Sequence, residues 1–169
     1  MATPYFYRKL RSMAKEHGVL FIVDETKTGL GASGKNWAHE YWYLHEGHEP
    51  DFVTFGGAKY SGLSGFYSTV EQRIEGCAQA YSADVNVTSL INHGLTWKTI
   101  HNQNLLHWQK DTSSFLKIEL DRVQKETGLI SDVRGYGTHL AFDCESAQLA
   151  DLLQRWLLRS GINVLKCGP

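Results

Sequence analysis

Little in this 169-residue chain is extreme, and each shortage removes a class of function. Neither sign of charge dominates: 17 basic against 18 acidic side chains leave a net charge of -1, which argues against a partner such as nucleic acid. No stretch approaches the ~20 consecutive apolar residues needed to cross a bilayer. Residues Met1 to Tyr7 lack the basic and apolar regions of a signal peptide, so a soluble protein is expected. Cysteine is scarce as well. Cys77, Cys144 and Cys167 are odd in number, far apart and outside any metal-ligand spacing, which fits a reducing compartment better than a disulfide framework. His45 to Glu49 offers two histidines and two glutamates in a turn without fixed ligand spacing, and no metal is expected there. What remains is a globular composition, 42% hydrophobic and 21% charged, sufficient for one core-bearing domain or for one domain and part of another.

The apolar pattern predicts alternating α and β elements in the first half. Thr3-Pro4 reads as an N-cap and first helical position, followed by Phe6, Leu10, Met13 and Ala14 at helical spacing, with His17-Gly18 ending the helix. Strands are expected at 19–24, 52–55 and 65–70, with a helical aromatic segment at 37–44. From Val85 to Glu126 glycine and proline are almost absent, which predicts two long helices joined near Asn102 to Asn104. Short strands at 130–134 and 139–143 follow. Ser146 caps a helix whose Leu149, Leu152, Leu153, Trp156 and Leu157 form one face, and a last strand is expected at 162–165. The order argues for an α/β layer over residues 1–105 and a smaller α+β unit over 106–169.

Residues 19 to 29, VLFIVDETKTG, carry the strongest chemical signal. The apolar run reads as a strand buried on both faces of a parallel sheet, and ligands in such sheets bind outside the carboxyl ends of the strands, where Asp24 stands. The strand at 52–55 runs into Gly56-Gly57-Ala58-Lys59, and Lys59 is the only lysine between Lys35 and Lys98. An acidic residue and an isolated amine at neighbouring strand ends suggest pyridoxal phosphate. That cofactor is attached through a lysine, and an acidic partner keeps its ring nitrogen protonated. A competing motif is Gly29-Leu-Gly31-Ala-Ser-Gly34-Lys35, which fits a dinucleotide fingerprint and most of a phosphate-binding loop. Asn36, however, stands where that loop needs a hydroxyl for magnesium. Asp24 to Thr28 also separate the glycines from the strand end.

The segments RKLRSMAKEHG, LFIVDETKTGLGASGKNWAHEYW, PDFVTF and VRGYGTHLAFD resemble the class III aminotransferases over nearly the whole chain, most specifically in VDE, TG, GK and WAHE. The resemblance implies fold type I of the pyridoxal phosphate enzymes: a large domain with a mostly parallel sheet, a small C-terminal domain, and a homodimer. It implies transfer of an amino group from an ω-amino acid, 4-aminobutyrate above all, to 2-oxoglutarate, with small-molecule amino and 2-oxo acids as partners and no nucleic acid or membrane. By the same resemblance Asp24 pairs with the pyridine nitrogen and Lys59 holds the cofactor. Lys27 stands where the family has glutamine beside the phenolic oxygen, and Ser82 aligns with a threonine that reaches the neighbouring subunit's phosphate.

Departures accompany these matches. Thr26 replaces an apolar residue that packs on the ring face, and the Lys59 loop is slightly longer than usual. The phosphate cradle, the ring-stacking aromatic and the substrate-binding arginines have no counterpart here. The expectation is therefore a fragment or truncated relative, in the mitochondrial matrix if eukaryotic and otherwise cytoplasmic. Two alternatives stand beside it: a non-catalytic remnant, and a nucleotide-binding module built on Gly29 to Lys35.

Overall fold

The computed structural model describes residues 2–57, 63–69 and 86–167. Helix α1 covers Pro4–Glu16, with the Thr3 side chain accepting from the Phe6 N–H and Pro4 supplying a fixed φ in the first turn. Strand β1, Ile22–Asp24, pairs in parallel with β2, Phe52–Phe55, and β2 pairs antiparallel with β3, Gly65–Ser68. The described sheet thus has the order β1-β2-β3 and is mixed, with one parallel and one antiparallel pair. Between β1 and β2 lies a glycine-rich loop and a 3-10 helix, Ala38–Trp42, where a helical segment over 37–44 was expected.

Helix α1 is fixed to the sheet by charge rather than by an apolar seam. Arg11 is 7% exposed and donates two hydrogen bonds, of 2.8 and 2.9 Å, to the Asp51 carboxylate just ahead of β2. Asp51 Oδ2 also accepts from the Phe21 N–H at 2.7 Å, and Arg11 Nε donates to the His48 carbonyl at 3.2 Å. One bidentate pair therefore ties the helix to the approaches of both β1 and β2. Tyr7 adds a stacked contact on Trp42, with ring centroids 3.9 Å apart. The buried apolar residues Val23, Phe52 and Val53 sit beneath this frame.

Strand β1 is not covered on both faces, as the continuous apolar run implied. Its residues alternate exposed, buried, exposed, and Ile22 is 59% exposed. The run behaves as an edge strand, with β2 as its hydrogen-bonded neighbour among the described residues. Alternation along a strand then sends Val23 inward and leaves Ile22 and Asp24 facing out.

The second half opens with two long helices, α2 (Val87–Asn102) and α3 (Leu105–Thr127), which break at Gln103-Asn104 where the pattern predicts. Asn86 caps α2 through its side chain, and Gly128 at φ +67° closes α3. Strands β4 (Ile130–Tyr136) and β5 (His139–Cys144) form an antiparallel hairpin with an irregularity between Ser131 and Arg134. Helix α4, Ala147–Arg159, is capped by Ser146 and packs against β5. Leu149, Leu153 and Leu157 are half-buried, whereas Leu152 and Trp156 are more than 60% exposed, so the covered stripe is narrower than the apolar one. Residues 162–165 form no strand; they follow α4 without regular secondary structure, with Gln154 Nε2 donating to the Val164 carbonyl. No helix among the described residues is long and apolar enough to cross a membrane.

Candidate functional site

The parallel pairing of β1 with β2 brings their carboxyl ends side by side, with Asp24 opposite Thr54. Asp24 Oδ1 accepts from the Thr26 N–H at 2.9 Å and from the Thr54 hydroxyl at 3.3 Å. These bonds fix an exposed carboxylate on the open side of the strand ends. The Thr26 N–H above all, then the Thr26 hydroxyl, and after them the Thr54 hydroxyl and the nearby Lys27 charge, outweigh slight burial and hold its pKa below the ordinary aspartate value. Asp24 is therefore an ionised, oriented acceptor at neutral pH.

Glu25, the next residue, has the opposite fate. It is 0% exposed, on the same side as Val23, because consecutive strand residues point to opposite faces. Its Oε1 accepts from both the His39 N–H at 2.8 Å and the His39 Nδ1 at 2.9 Å, and its Oε2 accepts from the Thr28 hydroxyl. Burial alone would raise its pKa; the hydrogen bonds from His39 and Thr28 reverse the sign and hold it low. His39 in turn faces the Tyr67 hydroxyl of β3, with 3.4 Å between Nε2 and oxygen. Burial, with the negative charges of Glu25 and Glu40, pushes Tyr67 up to about 12. Trp37 lies across this group, its ring centroid 5.3 Å from that of Tyr67 and 6.0 Å from that of Phe55.

The remaining predicted site residues are distributed unevenly. Lys27 is exposed, close enough to Asp24 for its charge to stabilise the carboxylate, and its carbonyl accepts from His139 Nε2 at 2.8 Å. Lys59 and Ser82 lie outside the described residues; Lys59 follows Phe55, the last residue of β2, by four positions in sequence. Arg134 is committed to its own hairpin, at 3.0 Å from Asp132 and 2.8 Å from Asp143.

The glycine-rich loop is packed rather than open. Amides of Gly29, Ala32 and Gly34 donate to the carbonyls of Glu25, Gly29 and Gly31, and the Gly31 amide donates to Asn36. A phosphate-binding loop needs such amides free and aimed at the ligand. Moreover, the Ala32 carbonyl accepts from Gln109 of α3 at 2.7 Å and from Thr138 at the hairpin turn at 3.3 Å. A Cβ on Gly137, at φ +57°, would collide with the Ser33 backbone. Tyr41 donates to the Ser33 carbonyl and stacks on Tyr136 at 4.3 Å between centroids. The loop therefore joins the first half of the chain to α3 and the β4-β5 turn, and it lacks the form of a nucleotide cradle.

Sequence reasoning passed over Glu25. A signal was present: after a strand ending in Asp24, the next side chain must turn inward, so a glutamate there needs buried donors.

Comparison with known proteins places this architecture. The aminotransferase class-III family matches residues 1–169. Among curated relatives, 4-aminobutyrate aminotransferase of Dictyostelium discoideum is 35% identical over 169 residues, covering 99% of this chain and 33% of its own length. That of Schizosaccharomyces pombe is 33% identical over 170 residues, covering 99% of this chain and 35% of its own. The chain thus spans about a third of the length of the curated relatives it matches. Lysine aminotransferase from M. tuberculosis superposes with a TM-score of 0.82 over 98% of this chain and 39% of its own, a likeness of fold at 24% identity. With a match running from end to end and a fold shared with solved aminotransferases, the chain belongs to the class III aminotransferase family.

Proposed function

We propose that this chain contributes the ring-nitrogen side of a pyridoxal phosphate site and serves transfer of an amino group from an ω-amino acid to a 2-oxo acid. By the names of its relatives, 4-aminobutyrate is the leading donor, and 2-oxoglutarate is the acceptor that the family resemblance implies. The observation that carries this reading is the Asp24 carboxylate, exposed and held ionised at the adjoining ends of two parallel strands. A protonated pyridine nitrogen needs just such a partner, so the residues present fit the cofactor on that side. When bound, the cofactor supplies the electron sink that makes the carbon bearing the substrate amine acidic.

Asp24 would hold a proton on the ring nitrogen, with Thr26 and Thr54 fixing the carboxylate that keeps it there. Lys59 would be the point of attachment and would move a proton at its Nζ as general acid and base. Lys27 would donate to the phenolic oxygen, and Ser82 would reach the phosphate of a cofactor in a second subunit. The helix break at Gln103-Asn104 would separate the cofactor-binding unit from the smaller C-terminal one.

The test is chemical trapping. Reduction with borohydride in the presence of pyridoxal phosphate, followed by peptide mapping, is expected to label Lys59, and Lys59→Ala is expected to lose the label. Labelling spread over surface lysines, or none, would overturn the reading.

A second reading is a non-catalytic remnant that acts only in association with more polypeptide. The apolar surface favours it: Leu95, Trp108, Phe115 and Ile118 are each more than half exposed. Co-expression with a full-length relative would discriminate. Recovery of a stable stoichiometric complex without Lys59 labelling would support the remnant.

A further inference from the structure

Glu25 is a buried charge that the proposed chemistry leaves unused. A carboxylate withdrawn from water is costly unless hydrogen bonds replace its hydration, and a glutamine or an apolar residue would fill the same space more cheaply. Its bonds converge from three elements. The backbone N–H of Glu25 donates to the Thr54 carbonyl of β2 at 2.8 Å, and its carbonyl accepts from the Gly29 N–H at 2.9 Å. The side chain takes Thr28 within that turn, and His39 by both backbone and ring at the start of the 3-10 helix. The turn so closed contains Thr26, whose N–H orients Asp24, and Lys27.

We propose that Glu25, His39 and Tyr67 form a partly buried hydrogen-bond relay that positions the Asp24-Lys27 turn, making Glu25 and His39 positioning residues of the candidate site. This rests on the reading of Asp24 as a cofactor partner. The direction of the relay follows from valence. An ionised carboxylate only accepts, so His39 Nδ1 carries a hydrogen. In the neutral ring Nε2 is then an acceptor, and it faces the Tyr67 hydroxyl. The order is Tyr67 O–H to His39 Nε2, and His39 Nδ1–H to Glu25 Oε1. Neutral histidine free in water has no partner to impose that tautomer; here the carboxylate selects it. Loss of the Glu25 acceptor releases Thr28 and His39 together, loosens the 25–29 turn, and deprives Asp24 of its fixed Thr26 N–H.

The experiment has one arm without cofactor. Nitrogen-15 spectra of His39 are expected to show hydrogen on Nδ1 and a bare Nε2. The carboxyl carbon of Asp24 is expected to titrate below ordinary aspartate in the wild type and to move upward in Glu25→Ala. Glu25→Gln, which keeps an oxygen for His39, is expected to restore most of the lower value. In the second arm, pyridoxal phosphate affinity is expected to fall about tenfold in Glu25→Ala, the ratio corresponding to one hydrogen bond of ordinary strength. An unchanged Asp24 titration in a folded Glu25→Ala protein, or His39 with hydrogen on Nε2 alone, would overturn the proposal. Should Glu25→Ala fail to fold, Thr28→Val and His39→Gln give the same Asp24 readout. Wild-type protein that binds no pyridoxal phosphate, yet shows the Asp24 response, would sink the cofactor reading while supporting the positioning role.

Discussion

The strand ends of β1 and β2 and the long helices α2 and α3 invert the usual distribution of side chains in opposite ways. Around the sheet the interior holds charge: Arg11, Glu25 and Asp51 are all buried, each with named partners. On α2 and α3 the exterior holds large apolar groups, including Leu90, Ile91, Leu95 and Phe115. Charged interiors are expensive and fix geometry through directed bonds, whereas uncovered apolar faces fix nothing until something is placed against them. In the first region the buried charges hold one another's elements in place. The second is a surface whose stabilising potential the chain leaves unused.

That contrast makes ranked predictions. The largest effect belongs to the Arg11-Asp51 pair: Arg11→Ala leaves a buried carboxylate unpaired and is expected to cost about 3–5 kcal/mol in denaturant unfolding. A smaller loss would mean that water reaches Asp51. Next comes Glu25→Ala, which removes the acceptor for His39 and Thr28 and is expected to cost about 2–3 kcal/mol. The sign with pH is fixed by the direction of the shift. Because the folded pKa of Glu25 lies below its unfolded value, its contribution is full above the ordinary glutamate pKa of ~4.3 and is lost as pH falls through the lower folded value. Acid unfolding should accordingly be less steep in Glu25→Gln than in the wild type.

On the helices, Leu95→Gln and Phe115→Gln are expected to change stability by no more than ~0.5 kcal/mol while reducing self-association, read by sedimentation. A loss of several kcal/mol would show that these faces are covered in solution. The smallest effect is spectroscopic. Ultraviolet titration should reveal a tyrosine ionising near 12, and Tyr67→Phe should remove it. With its pKa raised on folding, Tyr67 supports the folded state fully below the ordinary tyrosine value of ~10 and ceases to do so as pH rises through about 12.

Much of this molecule was legible in the amino-acid sequence where local rules decide. Thr3-Pro4, Asn102 to Asn104 and Ser146 mark helix limits through capping and backbone preference, which depend on near neighbours. The place of Asp24 at the strand end was legible because an apolar run ending in an acid is a local pattern. Strand β1 was misjudged as buried on both faces, since an apolar run does not reveal what lies across the sheet. The expected strand at 162–165 failed for a related reason: a strand needs a partner, and that segment meets the side chain of Gln154 instead. Glu25 was missed because two of its donors come from His39, 14 residues away, a separation no periodicity encodes. The same holds for the glycine loop. Its motif suggested an open cradle, while Gln109 and Thr138, remote in sequence, close over the Ala32 carbonyl.

The proposed function turns on the exposed Asp24 carboxylate. Asp24→Asn keeps a hydrogen-bond acceptor for Thr26 and Thr54 and should leave stability within ~0.5 kcal/mol, yet it removes the charge that holds a proton on a pyridine nitrogen. Titration with pyridoxal phosphate, followed by visible absorbance, should show binding by the wild type and affinity at least about tenfold weaker in Asp24→Asn, as expected for loss of a charge-assisted bond. Equal affinity in the two proteins, or none in either, would contradict it.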